Sequence, residues 1–539
     1  MAGPLDRLEA SDETISPTRA ILAGTLPFFI SWWFIIIPGV IFVRALYRRY
    51  ASPLRKYPGP WLASTTRLWK VISTASTRTH LEHIELHKKY GPIVRIAPDE
   101  VSLSSPEAAR TLLSAGKRFY KTKFYSVFPP VETPDIFTEL REDIHARKKK
   151  VANVPYGMAA MQQLSPFIDD TIDLLFRKMD AAAAGLTDAS INAFPKGSVV
   201  DLGNWLHWFA FDVLGEVAFS RKFGFLEQGR DVDGAIHAID ESQRYSGIVG
   251  QVSFLDCLLR RNPLWMLMPG MGNKHAPISR LALDELSRRK PFDKESEGKW
   301  KGGDGRRDLL ASLIRSHLED PGRFSEGDVF AVAHGAIFAG SDSTASTMQS
   351  LFWHIFNDAR VYARIQEEIS TAVERGTIPA SGNISWAEAH NLDYFQACLK
   401  ESMRVRPAVG LDMVRMVPPE GAELDGEFLP GGVSVAVNGW VLHRDKAIFG
   451  EDADIYRPER WLGNEESTKR MERYMFQFGG GSHLCIGRNL ALLEMNKVCP
   501  RLLRDYHFEL VHPGRELRAH CTFFVVQEGL EVYISRKQQ

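Results

Sequence analysis

Between Phe478 and Gly487 the chain reads Phe-Gly-Gly-Gly-Ser-His-Leu-Cys-Ile-Gly, and the residues after it, Arg488-Asn-Leu-Ala-Leu-Leu-Glu-Met, have the pattern of a helix. Glycines 479, 480, 481 and 487 let the backbone turn sharply and approach a flat partner without Cβ clashes. Cys485 stands just ahead of a helix N-terminus, where backbone N–H groups and the helix dipole favour a thiolate. Such a sulfur suits a metal, including one held in a planar macrocycle. A free cysteine buried in an ordinary loop is the plain alternative.

With 539 residues the chain is long enough for a large core. Lys+Arg and Asp+Glu both number 66, so no charge asymmetry points to nucleic acid. The cysteines, at 257, 398, 485, 499 and 521, are odd in number and form no Cys-x-x-Cys pair. That argues against a disulfide framework or a zinc ribbon and fits a reducing compartment.

The N-terminus departs from this ordinary composition. Ile21 to Val43 carries no charge and is dense in Ile, Phe and Trp, which is enough for a helix to cross a bilayer. Pro27 and Pro38 are expected to kink it. Arg44, Arg48, Arg49, Arg55 and Lys56 follow with no acid among them, whereas Asp6, Glu9, Asp12 and Glu13 precede it against Arg7 and Arg19. The positive-inside rule then puts the main body in the cytosol. The expected layout is a lumenal tail (1–20), a transmembrane anchor (21–43), a basic, proline-rich hinge (44–64) in which Pro53, Pro58, Gly59 and Pro60 make a stiff, non-helical connector, and one large domain (65–539). A cleaved secretory signal is the rival, but the run exceeds the usual apolar core and lacks a small-x-small exit.

Within the large domain, Leu81 to Tyr90 reads as a helix and Ile93–Ile96 with Val101–Leu103 as a hairpin. Ser105-Pro106-Glu107 opens another helix, and Val433–Val437 and Phe524–Val526 read as short strands. Most other segments are helix-periodic, and Lys294 to Arg307 reads as a charged surface loop. The fold class is mainly α with small β-sheets. Ser325-Glu-Gly-Asp328 resembles a capping box and starts a long apolar helix reaching about Phe356, roughly 45–50 Å at the α-helical rise. Inside it lies Ala339-Gly-Ser-Asp342-Ser343-Thr344. An acid beside two alcohols is costly in an apolar helix unless used or hydrogen-bonded, and hydroxyls bonded back one turn are the simplest outcome. Glu401 and Arg404 lie three apart on one helix face; alone, that pair says little.

Taken in order, these segments resemble the cytochrome P-450 family. Phe478, Gly481, Cys485 and Gly487 match its Phe-x-x-Gly-x-Arg-x-Cys-x-Gly signature, with His483 in the arginine position. The 339–344 segment is similar to the family's oxygen-activating sequence, with Ser343 at the usual threonine. Tyr456-Arg-Pro-Glu-Arg460-Trp falls at the expected interval. The resemblance implies a cytochrome P-450 fold behind one N-terminal transmembrane helix and haem b with Cys485 as axial thiolate. It implies Phe478 near the sulfur and His483 at a propionate, and by looser correspondence Lys149, His145 and Arg415 as further propionate partners. It also implies Asp342 as proton relay, Ser343 as the relay alcohol with Thr344 as substitute, and Glu401, Arg404 and Arg460 as a structural charge triad.

The activity implied is a monooxygenase taking O2 and electrons from NADPH through a membrane-bound reductase, with a b-type cytochrome as a further donor. The docking face would be near Lys469, Arg470, Arg473 and Arg488, and the location the endoplasmic reticulum membrane with the catalytic domain cytosolic. By family position the pocket draws on Phe124 to Pro130, Ile337 to Ala339, Val409 to Val414 and Thr522 to Phe524, so the substrate is a hydrophobic small molecule. Phe119-Tyr-Lys-Thr-Lys-Phe-Tyr and the long anchor look most like fungal secondary-metabolism members akin to pisatin demethylase. The alternatives are the same fold doing isomerisation, dehydration or reduction, and a non-catalytic haem-binding membrane protein.

Overall fold

A computed structural model of the protein describes residues 17–114, 119–129, 133–185, 199–260, 262, 276–292 and 308–537, with side chains from 32 onward and, in the helix Ala276–Arg288, from 279. The expected tail 1–20 falls largely outside these residues, and Pro130 and the loop 294–307 lie wholly outside them. The architecture is mainly helical with small sheets.

An N-terminal helix runs unbroken from Pro17 to Tyr50, through both prolines. Arg48 and Arg49 form its last turn, where cations complement the exposed carbonyls. Buried Arg95 adds to this, donating from Nη2 to Arg48 O (2.8 Å) and Pro98 O (2.6 Å). The expected non-helical connector is corrected in part: Pro53–Lys56 is a 3-10 turn, whereas 57–60 is non-helical; on either side of it the basic start of the hinge continues the first helix and Trp61–Thr65 is helical. Among the described residues, no helix is long and apolar enough to cross a membrane.

The hairpin forms as read, with Ile93 opposite Leu103 and Val94 opposite Ser102. Glu100–Leu103 pairs in parallel with Ser434–Val437, which pairs antiparallel with Met413–Met416. Tyr120–Lys121 closes the sheet, with Lys121 directly across from Arg415. Both capping predictions hold. Ser105 Oγ accepts from Ala108 N, and Ser325 and Asp328 exchange side-chain-to-backbone bonds at 3.2 and 2.9 Å.

The long helix is the main departure. It is two helices, Glu326–Gly340 and Asp342–Asn357, joined at Ser341. At the join, Ser343 Oγ donates to Ala339 O and Thr344 Oγ1 to Gly340 O, both at 3.0 Å. Hydroxyls bonding back to the preceding turn compete with the helical ladder and bend it. The second half packs on Leu202–Phe219, a helix buried over most of its length.

Glu401 closes the opposite side of the core. Its Oε2 accepts from Arg404 Nε (2.8 Å) and Trp461 Nε1 (2.8 Å). Oε1 accepts from Arg404 Nη2 (2.7 Å), Arg460 Nε (2.9 Å) and Arg457 N (2.9 Å). The Glu401 and Arg404 side chains have 0% exposure and Arg460 2%, so the triad is the interior ion cluster expected. Breaking a buried pair strands the remaining charges. Glu401→Ala is expected to destabilise the domain by roughly 3–5 kcal/mol, read as a lowered denaturation midpoint and loss of folded protein on expression.

Candidate active site

A cavity of about 340 Å³ lies between the cysteine loop, the broken helix and the strand Met413–Met416. The loop is shaped by Gly479 (φ +72°) and Gly481 (φ +56°), both left-handed. Gly480 and Gly487 have ordinary φ; a Cβ on Gly487 would stand 3.9 Å from Cys485 Sγ. Cys485 N donates to Phe478 O at 2.8 Å, which holds the ends of the loop together. Both side chains face the cavity, and Arg488 lies over the Phe478 ring.

Burial pushes the Cys485 thiol above its ordinary value, against lowering contributions from Gly487 N–H, the Lys149 ammonium and Arg488 N–H. The helix start thus works in the expected direction without prevailing. A metal that replaces the proton would shift that balance.

Every residue expected to touch a propionate lines this cavity: His145, Lys149, Arg415 and His483. Lys149 Nζ donates to Ser482 O (2.7 Å) and Leu484 O (2.5 Å), gripping the loop on both sides of His483. His483 Nε2 lies 3.1 Å from Glu142 Oε2, and its ring stacks on His145 at 4.3 Å. Arg415 Nη1 donates to Tyr125 OH (2.7 Å). Burial depresses His483, against the pull of Glu142. It takes His145 down to about 2, helped by the Lys121 ammonium.

On the far wall, Ser343 and Thr344 line the cavity but Asp342 does not. The Asp342 carboxylate turns outward, with Oδ1 2.8 Å from His207 Nε2 and Oδ2 accepting from Gln243 Nε2 at 2.8 Å. Gly340 also lines the cavity, and Leu214 packs against it. The remaining walls are largely apolar. Tyr125, Pro129, Phe338, Ala339, Val409, Leu411, Phe523 and Phe524 are among them, as the pocket segments predicted, whereas Ile337 is core.

A family model for cytochrome P-450 matches residues 58–533. The chain belongs to the cytochrome P-450 family. It is 32% identical over 507 residues to the cytochrome P-450 monooxygenase cicH of Emericella nidulans, covering 92% of this chain and 97% of that one. To the cytochrome P-450 monooxygenase gsfF of Penicillium aethiopicum it is 31% identical over 529 residues, 95% and 99% of the two chains. It is 30% identical over 488 residues to pisatin demethylase of Fusarium vanettenii, 90% and 89% of the two.

The family implies a haem-thiolate cofactor, and the residues of the cavity fit one. Lys121 and Arg415 sit directly opposite each other in the sheet, both buried and both facing the cavity. Like charges so placed repel. Burial, then Arg415, lowers the Lys121 ammonium to about 7. His145 Nδ1 is buried without a hydrogen-bond partner. A ligand carrying two carboxylates would answer both features, and Cys485 would supply a soft sulfur to its metal.

Sequence reasoning missed Lys121 and Glu142 here, and His207 and Gln243 behind Asp342. Strand alternation hints at Lys121, since Tyr120 points out and Lys121 in; its partner Arg415 is far along the chain. His207 was detectable only as a polar residue in an apolar helix, and Gln243, in a helix of mixed polarity, carried no signal.

Replacing Cys485 with Ser is expected to abolish the thiolate-type spectrum of the reduced carbon monoxide complex while the fold remains. An unchanged spectrum sinks the ligand assignment. Lys121→Met should keep that spectrum but lower haem retention, measured as haem per polypeptide after gel filtration.

Proposed function

We propose that this protein is a monooxygenase that oxidises a hydrophobic small molecule, by hydroxylation or a similar reaction, using O2 and electrons from NADPH through a separate reductase. The observation that carries this reading is a single cavity with Cys485 on one wall and the Ser343 and Thr344 hydroxyls on another, between largely apolar sides. Bound haem, with a thiolate pushing electron density toward iron, supplies O–O bond cleavage.

The residues of the chain do the rest. Aromatic and aliphatic walls exclude water and hold an apolar substrate by its surface. Ser343 donates its proton to Ala339 O, so the lone pairs of its hydroxyl oxygen are free to accept from water in the cavity. Asp342, one residue earlier, is the acid that delivers protons to that hydroxyl. Serine lacks the methyl that restricts the usual threonine, and the bond to Ala339 supplies orientation in its place.

Electrons have to enter from outside. The exposed cations Lys469, Arg470, Arg473 and Arg488 near the cysteine loop support docking of an acidic reductase. Lys469 and Glu465 form an ion pair, which leaves Arg473 and Arg488 as the stronger contributors. A b-type cytochrome would use the same face.

The N-terminal helix is read as an uncleaved anchor in the endoplasmic reticulum membrane, with residues 1–20 lumenal and the main domain cytosolic. Trp33, Phe34, Ile35, Val40, Ile41, Phe42 and Val43 are each more than half exposed along it, an unfavourable state in water that lipid would relieve. Fungal monooxygenases and pisatin demethylase among the relatives support a role in fungal secondary metabolism.

Purified holoenzyme with reductase should consume NADPH and O2 faster when a lipophilic substrate is added. No stimulation across a broad lipophilic panel would count against the reading. Metabolite profiling of a host expressing the chain then identifies the product. Asp342→Asn should preserve the carbon monoxide spectrum yet slow turnover by about a hundred-fold, in the range of a positioned proton donor. Removing residues 1–43 should shift the protein from the membrane pellet to the supernatant in high-salt fractionation.

A further inference from the structure

The Asp342 carboxylate is held on the side of the broken helix away from substrate. Neither Asp342 nor His207 lines the cavity, so protons reaching this acid come by a path other than the substrate's. Its two described partners differ in what they can do.

Gln243 is fully buried and its orientation is fixed. Its Oε1 accepts from the backbone N–H of Phe524 (3.2 Å), a group that can only donate, so its Nε2 must face Asp342 Oδ2. An amide holds the carboxylate but does not carry protons. His207 is an imidazole 2.8 Å from Oδ1, and its side chain keeps 11% of its surface accessible while Asp342 keeps 2%. The ring also packs on Phe211, with centroids 5.5 Å apart. Of the two partners, only His207 both gives and takes protons and reaches solvent.

We propose that His207 is a positioning residue for Asp342 and the side chain through which solvent protons enter the relay. This rests on Asp342 being the relay acid. One proton enters the imidazole from water at Nδ1 and one leaves from Nε2 to Oδ1, so the ring gains and loses one. The neutral carboxyl no longer holds an ion pair with the ring and swings toward Ser343. It gives up the proton there and returns as the carboxylate, and exchange with solvent restores the Nε2–H tautomer. Gln243 defines the resting position to which the carboxylate returns.

The test uses full-length holoenzyme with a cytochrome P-450 reductase, NADPH and O2, with no substrate added. The readout is hydrogen peroxide released per NADPH oxidised, since slow proton delivery diverts reduced oxygen to peroxide instead of water. The variants are Asp342→Asn, His207→Gln and the double substitution, each first checked for the thiolate-type carbon monoxide spectrum, with His207→Asn replacing His207→Gln if the latter fails that check. Each single variant is expected to raise the peroxide-to-water ratio by roughly ten-fold, below the hundred-fold of a positioned acid because water substitutes in part. The double variant should go no further than either single one. In deuterated buffer the wild-type ratio should rise, and the His207→Gln ratio should rise by a smaller factor.

If Asp342→Asn shifts the ratio and His207→Gln does not, the imidazole carries no protons; the inference is overturned while Asp342 keeps its role. If neither shifts, the relay reading itself fails. Additive effects in the double variant would mean His207 acts elsewhere, and also overturn the proposal.

Discussion

One carboxylate, that of Glu401, organises the side of the protein that carries the cysteine loop. Five donors from the helix Asp393–Val405 and the segment 457–461 converge on its two oxygens. Arg404 then donates onward to His443 O (2.7 Å) and Ala453 O (2.6 Å). The His443 ring links the backbone on both sides, with Nδ1 3.2 Å from Arg404 O and Nε2 accepting from Phe476 N at 2.8 Å. Phe476 O in turn accepts from Gly479 N, the first left-handed glycine of the loop. A continuous set of buried hydrogen bonds therefore runs from Glu401 to the turn that presents Cys485. Such ionic networks gain little over an apolar core in stability, but each member is costly to lose. Their contribution here is positional, since a thiolate ligand has to be held to a fraction of an ångström.

Opposing that rigid frame is a deliberate electrostatic mismatch. Lys121 and Arg415 face each other across two strands, Lys149 lies along the cysteine loop, and two imidazoles stack between them. The Glu142 carboxylate is engaged with His483, and its second oxygen has no hydrogen-bond partner; Asp135 is taken up by Thr138. Lys121 is meanwhile satisfied by the carbonyls of Ile136 and Phe137, both at 2.8 Å. Folding thus places cations where an anionic ligand completes the charge balance, and ligand binding and folding stability are coupled. With His483 in place of arginine, the fixed positive charge moves from the loop to Lys149 and the sheet.

Much of this was legible in the sequence because the motifs concerned are local. Glycines around Cys485, the Ser325 and Ser105 caps and the hairpin at 93–103 are determined by residues within a few positions of one another. Glu401 and Arg404 were equally visible, but their partner Arg460 gained meaning only through its interval from them. What stayed hidden depends on tertiary pairing. Lys121 meets Arg415 because distant strands share a sheet edge, and His207 meets Asp342 because two apolar helices pack together. The proline-rich segment misled for a related reason: Pro53 and Pro60 are compatible with helical starts, and Arg95 draws the chain before them into a completed helix end.

The break at Ser341 gives these parts a common cause. An unbroken helix would carry residues 339–344 round more than a full turn, with every carbonyl committed to the ladder. Here Ala339 O and Gly340 O accept from side-chain hydroxyls instead, and Asp342 begins a new helix, where a negative charge is favoured by the dipole. The acid is then held in the interior by His207 and Gln243 on its oxygens, while the neighbouring alcohols face the cavity. A hydroxyl alone could have bent the helix, and an acid alone could have been paired at the surface. Only their adjacency at a helix break places a buried acid and cavity-facing alcohols on neighbouring residues.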